Sequence, residues 1–480
     1  MTDALWSMDA VVLAELLRDR EVTPLEVLGS VECRVGEVDP VVNALPTLCF
    51  DRARRSIAAG AGLQRTILGG LPVPIKDSYA VDGVRTTFGS RVFADNVPDY
   101  SDYLVEAIEQ SGGVVFAKSN TPEFEAGANT FNDVFGATLN PWNTALSAAG
   151  SSGGAAAAVA TGMAPFAQGS DFACSLRYPA AFCGIVGLRP SPGLVPQGPN
   201  GMPGQTLSVI GPLARTVGDA GLALAAMATF DERDPLSRPA ADTDYQTAAR
   251  QPESPGHFAY SPDLGVAVVD PEIRRIVEAA VRKLEAAGAA LVDKHPDLSL
   301  SDSAFRPLRA FQFAASRSAL LNGPERELLK PEVIWNIEEG LRIGSADLAA
   351  AGSARAFTRM QMIDFLRDNA FLISPTAPVA PNPVGDRYVT RIDGHELSTY
   401  LDWLILGYAV TVTGCPAVSI PCGFTAAGLP VGLQIIGRPY SEASLLSVAA
   451  WCENVLGVAM KRPIDPVIAS PETRQAGAFK

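Results

Sequence analysis

The chain has 480 residues, of which 47% are hydrophobic and 19% charged, a composition typical of a well-packed globular protein rather than a disordered or fibrous one. Its net charge is −14 and the sequence contains no basic block, so we expect no nucleic-acid partner. The opening "MTDALWSMDA" has acidic residues where a signal peptide needs positive charge, which favours a cytoplasmic protein.

The first third of the chain predicts amphipathic helices followed by a buried strand. "AVVLAELLRDR" has apolar residues at helical spacing, and the next helix begins with Thr23 as N-cap, Pro24 at the first position and Glu26 completing a capping box. Another helix is predicted near "DRARRSIAAG". "LGGLPVPIKDSYAV" then predicts a buried strand that ends at Lys76.

Helices and strands alternate through the rest of the chain, which predicts an α/β fold with the sheet covered on both faces. Residues 102–111 predict a helix, "GGVVFAKSN" a strand and "TPEFEAGA" a helix that begins at its proline. "DPEIRRIVEAAVRKLEAAGAALVDK" predicts a helix and a strand. "FLISPTAP", "CPAVSIP" and "LPVGLQIIG" predict strands, and "EASLLSVAAWCENV" predicts the last helix.

Three longer segments have distinct patterns. Residues 235–260 are polar and proline-rich, which predicts a surface loop, whereas 298–370 predict a helical insertion. Its aromatic residues are candidates to line a substrate pocket: Phe305, Phe311, Phe313 and Trp335. Residues 403–437 contain no charge but are interrupted by prolines and glycines, so they predict buried strands and turns rather than a membrane span. We predict one domain over 1–480.

Candidate catalytic residues do not include a histidine. His257, His295 and His395 lie in polar, turn-like surroundings, so the usual serine and histidine pair is not indicated, and neither is a zinc site. A serine can instead be activated by a neutral lysine shielded from water. Lys76 fits this role because its strand is apolar, although a lysine that ends a strand in solvent has the same pattern.

The segment "GSSGGAAAAVATG" (150–162) contains the first candidate serines. Ser151 and Ser152 stand just before an alanine-rich helix, where serines serve as N-caps. A helix N-terminus with hydroxyl groups also stabilises negative charge, so both structural and catalytic roles are open.

These segments together resemble the amidase signature hydrolases. The long stretch from Gly150 to Pro190 is similar to the serine- and glycine-rich signature of that family, with serines 151 and 175 spaced 24 residues apart. "GGLPVPIKDSYAVDGVRTTFGS" is similar to its lysine segment, and "KSNTPEF", "FGATLNPWN", "CPAVSIPCG" and "GLPVGLQIIG" to its other landmarks. The resemblance implies a large mixed β-sheet with helices on both faces.

The resemblance implies a Ser-cis-Ser-Lys triad without cofactor or metal. Ser175 would be the nucleophile, Ser151 the bridging serine after a cis peptide bond from Gly150, and Lys76 the base. The backbone N–H groups of Phe172, Ala173, Cys174 and Ser175 would form the oxyanion hole. Ser152 would support the loop, and Asp171 and Arg177 would brace it through a charge-assisted hydrogen bond.

Two positions depart from the pattern of the family. Ala173 and Cys174 stand where many members have two glycines, and their side chains would resist a left-handed backbone conformation. Thr411 stands where the family often has asparagine. Both departures concern the surroundings of the triad rather than its three side chains.

The resemblance implies an amidase that hydrolyses a small, mostly neutral amide. We further expect the acyl or amine side of this amide to be apolar or aryl. Within the same family, a glutaminase subunit of a tRNA-dependent amidotransferase and a hydrolase of carbamates or ureas are alternatives. A non-catalytic scaffold derived from a hydrolase is a third. Many members of the family are homodimers, so the resemblance also implies a homodimer.

Overall fold

The computed structural model describes residues 2–60, 62–202, 204–238, 243–460 and 462–469. The predicted single domain extends to residue 480, and its last residues, 470–480, lie outside these ranges. The helices are α1 (Ala10–Arg18), α2 (Pro24–Val42), α3 (Phe50–Ala59), α4 (Tyr103–Gln110), α5 (Gly153–Ala160), α6 (Arg177–Cys183), α7 (Val217–Met227), α8 (Tyr245–Arg250), α9 (Pro271–Ala286), α10 (Ser301–Arg317), α11 (Pro331–Arg342), α12 (Ser345–Asp368), α13 (Ile405–Thr411) and α14 (Glu442–Leu456).

The strands form one large sheet and several small ones. They are β1 (Thr47–Leu48), β2 (Pro72–Lys76), β3 (Val114–Ser119), β4 (Phe131–Asn132), β5 (Gly136–Ala137), β6 (Leu139–Asn140), β7 (Asn143–Ser147), β8 (Phe166–Asp171), β9 (Val186–Arg189), β10 (Val209–Ala214), β11 (His257–Tyr260), β12 (Ala290–Asp293), β13 (Leu372–Pro375), β14 (Arg391–Ile392), β15 (His395–Glu396), β16 (Ala417–Phe424) and β17 (Pro430–Ile436). The large sheet has the order β12-β11-β13-β17-β16-β9-β10-β8.

The large sheet is mixed and covered on both faces, which confirms the predicted α/β class. Strand β11 pairs in parallel with β12 and β13, whereas the pairs from β13 to β8 are antiparallel. Successive side chains of a strand point to opposite faces. In β10, Leu213 belongs to one buried apolar cluster and Ala214 to another, so a core lies on each side of the sheet.

The predicted capping box of α2 is confirmed. The hydroxyl of Thr23 accepts a hydrogen bond from the Glu26 backbone, and the Glu26 carboxylate accepts one from the Thr23 backbone. Residues 403–437 contain α13, β16 and β17, which are buried as predicted except at the end of β16, where Phe424 is exposed. None of the helices in the described ranges combines the length and the hydropathy that crossing a bilayer requires.

Two sequence predictions are wrong. Residues 235–260 are not only a loop, because they contain α8 and β11; α8 packs its buried Tyr245 and Ala249 against α7. Six residues are too few for apolar periodicity to stand out. The predicted helix at 121–128 is a single 3-10 turn, because Phe124 and Glu125 have φ angles of +46° and +61°, which no α-helix contains.

Candidate active site

Lys76 ends β2 in the interior of the protein, which excludes the alternative that it lies in solvent. Its side chain is fully buried, and its backbone N–H donates to the side-chain carbonyl of Gln168 in β8. The neighbouring Asp77 is also buried, and its carboxylate pairs with Lys118 at 3.4 Å instead of with Lys76. The extended chain therefore directs the two charges to different partners.

Three oxygen atoms surround the Lys76 amine. Its Nζ lies 2.7 Å from Ser151 Oγ, 2.9 Å from Ser170 Oγ and 2.8 Å from Glu125 Oε1. Ser170 in turn donates its hydroxyl proton to the same Glu125 oxygen at 2.6 Å. The structure thus brings together the predicted lysine and bridging serine with two polar residues that the sequence analysis did not single out.

Ser151 and Ser152 precede α5 but neither hydroxyl caps it. The peptide bond between Gly150 and Ser151 is cis, as the resemblance implies. A Cβ at Gly150 would lie 3.1 Å from backbone atoms of residues 128 and 129, so the close approach favours glycine there. Ser152 occupies the N-cap position without a capping bond, and its hydroxyl instead bonds with the backbone of Ser170 on β8.

Ser175 lies in the short loop between β8 and α6. It is 7% exposed, and its carbonyl accepts a hydrogen bond from the backbone of Ser152. Among the described residues, none accepts a hydrogen bond from the backbone N–H groups of residues 172–175. Four unpaired donors next to one serine are the arrangement that an oxyanion hole needs.

The loop is held by a buried charge cluster. The Arg177 guanidinium bonds both carboxylate oxygens of Asp171, at 3.0 and 3.1 Å, and Arg189 contacts the same carboxylate at 3.1 Å. Burial raises the pKa of Asp171, but the two guanidiniums outweigh it and the pKa lies below its ordinary value. Arg177 also donates to the Ala173 carbonyl at 2.8 Å, so the cluster connects directly to the loop.

The structure explains both departures from the family pattern. Neither Ala173 nor Cys174 has a positive φ, so their side chains are compatible with the loop. Gly407 of α13 makes room for them: a Cβ there would lie 2.4 Å from Cys174 Cβ and 2.6 Å from the Ala173 carbonyl oxygen. Thr411, one turn further along α13, donates its hydroxyl proton to that same carbonyl at 3.2 Å.

Burial and neighbouring charges shift the pKa values of the groups around Ser175. It lowers the pKa of Lys76 below its ordinary value, although the Glu125 carboxylate acts in the opposite direction. Burial raises the pKa of Glu125, but Lys76 and the hydrogen bond from Ser170 outweigh it and the net shift is downward. Burial also raises the pKa of the Cys174 thiol well above its usual range, so this cysteine is not a thiolate nucleophile.

A cavity of about 500 Å³ lies beside the cluster. Glu125 and Phe172 are both part of its wall, which connects it to Lys76 and to the loop of Ser175. Four further phenylalanines line it: Phe88, Phe93, Phe124 and Phe313. Phe313, from the predicted helical insertion, belongs to this wall, whereas Phe305 stacks on Tyr408 at 4.4 Å and Phe311 is not a lining residue.

Sequence reasoning missed Glu125, Ser170 and Arg189. Glu125 stands two residues after Glu123 in a segment that the sequence predicts to be a helix, and Ser170 lies in β8 beside Gln168 and Asp171. Because three of the six residues of this strand are polar, Ser170 does not stand out in the sequence, and only the structure shows that it is buried against Lys76. The three histidines are not part of the cluster: His257 begins β11, and His295 and His395 are exposed.

Comparison with known proteins shows that the chain is similar to amidases over nearly its whole length. A family model described as Amidase matches residues 26–446. The chain is 35% identical to an acylamidase from Rhodococcus erythropolis, over 96% of this chain and 98% of that protein. It is 32% identical to a glutamyl-tRNA(Gln) amidotransferase subunit from Halothermothrix orenii strain H 168, over 94% of this chain and 98% of that subunit.

Solved structures show the same fold over nearly the whole chain. A bacterial aryl acylamidase of the amidase signature family superimposes with a TM-score of 0.87 at 26% identity, covering 98% of both chains. A 6-aminohexanoate cyclic dimer hydrolase in complex with its substrate superimposes with a TM-score of 0.84 at 27% identity, covering 96% of this chain and 99% of the other.

Proposed function

The chain belongs to the amidase signature family and is a hydrolase of carbon–nitrogen bonds, and we propose that Ser175, Ser151 and Lys76 perform this hydrolysis. The observation that supports this most is the 2.7 Å contact between Lys76 Nζ and Ser151 Oγ in a fully buried environment. A lysine can act as a base only in its neutral form, and burial favours that form.

The proposed reaction proceeds through an acyl-enzyme. Ser175 Oγ attacks the amide carbonyl carbon while its proton passes to Ser151 and the proton of Ser151 passes to Lys76 Nζ. The ammonium returns a proton through Ser151 to the leaving amine as the carbon–nitrogen bond breaks. Water then attacks the acyl-enzyme by the same relay and releases the acid.

The oxyanion that forms in each step would be bound by the backbone N–H groups of residues 172–175. Their donors are unpaired among the described residues, so binding the oxyanion breaks no existing hydrogen bond. Donors that are already oriented cost no reorganisation when charge develops, and in other enzymes one such donor contributes about 10²- to 10³-fold to turnover. The cluster of Asp171 and Arg177 would keep the loop in this orientation.

We propose a small, mostly neutral amide with an apolar or aryl group as the substrate. The phenylalanines of the cavity wall support this, since apolar walls favour apolar ligands. Phe313→Ala enlarges the cavity, and we expect it to change the selectivity between aryl and alkyl amides. Phe311→Ala on the same helix is the matched control, because Phe311 does not line the cavity. If both variants kept the wild-type selectivity between aryl and alkyl amides, this substrate class would be rejected.

The experiment that tests the catalytic proposal is product release from a panel of aryl amides, alkyl amides, glutamine, ureas and carbamates. We expect turnover of one class by the purified chain and its loss in Ser175→Ala and Ser151→Ala. Ser353→Ala, an exposed serine of α12, is the control and should retain full turnover. Turnover that persists in Ser175→Ala would contradict the assignment of the nucleophile.

A second candidate is the glutaminase subunit of a tRNA-dependent amidotransferase. It is favoured by the 32–34% identity to subunits of several glutamyl-tRNA(Gln) amidotransferases, over 91–96% of this chain. A glutaminase subunit should release ammonia from glutamine and should need a partner subunit for full activity. Turnover of other amides by the isolated chain, with none of glutamine, would exclude it.

The cytoplasmic location and the homodimer also stay predictions. The mass of the purified chain in solution, measured by light scattering, distinguishes a homodimer from a monomer of 50.4 kDa.

A further inference from the structure

Glu125 is a charged residue in direct contact with Lys76 that the proposed relay does not use. Its carboxylate lies 2.8 Å from Lys76 Nζ, and its side chain is 25% exposed, toward the cavity that it lines. The residue lies on a turn in which both Phe124 and Glu125 have positive φ angles. Residues other than glycine rarely adopt this backbone conformation. Where they do, the positions cluster at functional sites, and the surrounding structure enforces the conformation.

Hydrogen-bond directions around Lys76 define a role for this carboxylate. Ser170 has one hydroxyl proton and donates it to Glu125, so toward Lys76 its oxygen can only accept. A neutral amine has two N–H groups and one lone pair. If the N–H groups donate to Ser170 and Glu125, the lone pair is directed at Ser151, from which the proton must come.

We propose that Glu125 is a positioning residue: it orients the Lys76 amine toward Ser151 and stabilises the ammonium that forms when the relay delivers a proton. This inference rests on the relay proposed above. In each cycle the bond from Ser151 Oγ to its proton breaks and one from Lys76 Nζ forms, and the step reverses when the leaving amine takes its proton. Glu125 stays a carboxylate throughout and exchanges no proton.

Apart from Glu125, the titratable groups that act on Lys76 are already neutralised or stay neutral. Asp171 acts on Lys76 from β8 but is paired with two guanidiniums, and the Cys174 thiol is held in its neutral form. Burial keeps the Tyr79 phenol neutral as well. On the other side of Glu125, Arg309 and Arg317 of α10 interact with its charge, and Arg317 favours its ionised form. Among the carboxylates that act on the Lys76 amine, Glu125 is the one in direct contact with it.

The proposal predicts how activity depends on pH. The rate kcat/KM rises with pH as Lys76 loses its proton, and a carboxylate in contact with the ammonium moves that rise to higher pH. Glu125→Gln keeps an acceptor oxygen but removes the charge. We expect the acidic limb of the profile to move to lower pH by about 1 to 3 units. The plateau should fall roughly 3- to 30-fold, because a weaker base is a poorer proton acceptor.

The experiment measures kcat/KM between about pH 5 and pH 10 with a neutral amide that does not titrate. Glu125→Asp restores the charge, so its acidic limb should lie closer to that of the wild-type enzyme than the limb of Glu125→Gln does. Glu338→Gln is the control: this carboxylate of α11 is paired with Arg326 at 2.8 Å and not with Lys76, so its substitution should leave the limb in place.

An acidic limb that does not move in a folded, active Glu125→Gln variant would overturn the proposal. If that variant does not fold, Ser170→Ala decides, because it removes the hydrogen bond that holds the carboxylate against Lys76. Its limb should move in the same direction, and an unmoved limb would reject the inference. Ser175→Ala separates the failure of the relay from the failure of the role of Glu125. Turnover that survives in Ser175→Ala refutes the relay itself. Turnover that is lost in Ser175→Ala, together with an acidic limb that does not move in the Glu125 variant, refutes only the role of Glu125.

Discussion

Gly407 offers a direct test of whether the loop of Ser175 depends on close contact with α13. In Gly407→Ala the new Cβ would lie 2.4 Å from Cys174 Cβ and 2.6 Å from the Ala173 carbonyl oxygen, so the loop or the helix must shift. Both atoms belong to the segment whose N–H groups we propose to bind the oxyanion. We therefore expect lower turnover together with lower stability.

Two opposing effects determine the size of the change. Replacing glycine by alanine inside a helix stabilises a protein by about 0.5–1 kcal/mol when space is available. Overpacking of a rigid interior costs about 1–3 kcal/mol, and Ala173 is held in place by Arg177 and Thr411. Overpacking should prevail, with a net loss of about 1–2 kcal/mol in the free energy of unfolding. Displaced donors should lower kcat about 100-fold with little change in KM.

The assay combines denaturant unfolding with steady-state kinetics. Gly352→Ala in α12 is the control, because a Cβ at Gly352 meets no atom within 4 Å, and this variant should be as active as the wild-type enzyme and no less stable. Cys174→Gly in the Gly407→Ala background removes one of the two clashes and should restore part of the activity. If Gly407→Ala and Gly352→Ala behaved alike, the close contact would not control the loop.

Two further substitutions test the surroundings of the site, and a third tests Asp219, a buried carboxylate of α7. Asp171→Asn leaves two buried guanidiniums without a carboxylate and should lower the free energy of unfolding by about 3–5 kcal/mol, measured by denaturant titration; a loss below about 1 kcal/mol would contradict the role of the charge cluster. Thr411→Val removes the hydrogen bond to the Ala173 carbonyl and should cost about 1 kcal/mol with a modest loss of kcat, and full activity at unchanged stability would show that the bond is dispensable. Burial raises the pKa of Asp219 from 3.8 to about 7, so the folded state binds a proton that the unfolded state has lost and stability falls as pH rises between these values. Asp219→Asn should flatten that decrease, and a wild-type slope in the variant would show that another group causes it.

The sequence by itself determined the fold class and the candidate triad. Periodicity identified most helices and strands, because apolar spacing reports which face of an element is buried. The capping box at Thr23 was predictable because its residues are neighbours in the chain. The residues Lys76, Ser151 and Ser175 were identified by resemblance, since a lysine after an apolar strand has the same local pattern whether it is exposed or buried.

Only the tertiary structure decided what surrounds these residues. The turn at 123–125 is held by bonds to distant segments: Phe124 donates from its backbone to Phe88, and the carboxylate of Glu123 accepts from the backbone of Lys330. These bonds prevail over the local preference for a helix and direct Glu125 to Lys76. In the same way, Gly407 provides the space that makes Cys174 acceptable beside Ser175. Contacts of this kind join residues far apart in sequence, so their free energy depends on how the elements pack, which local sequence patterns do not encode.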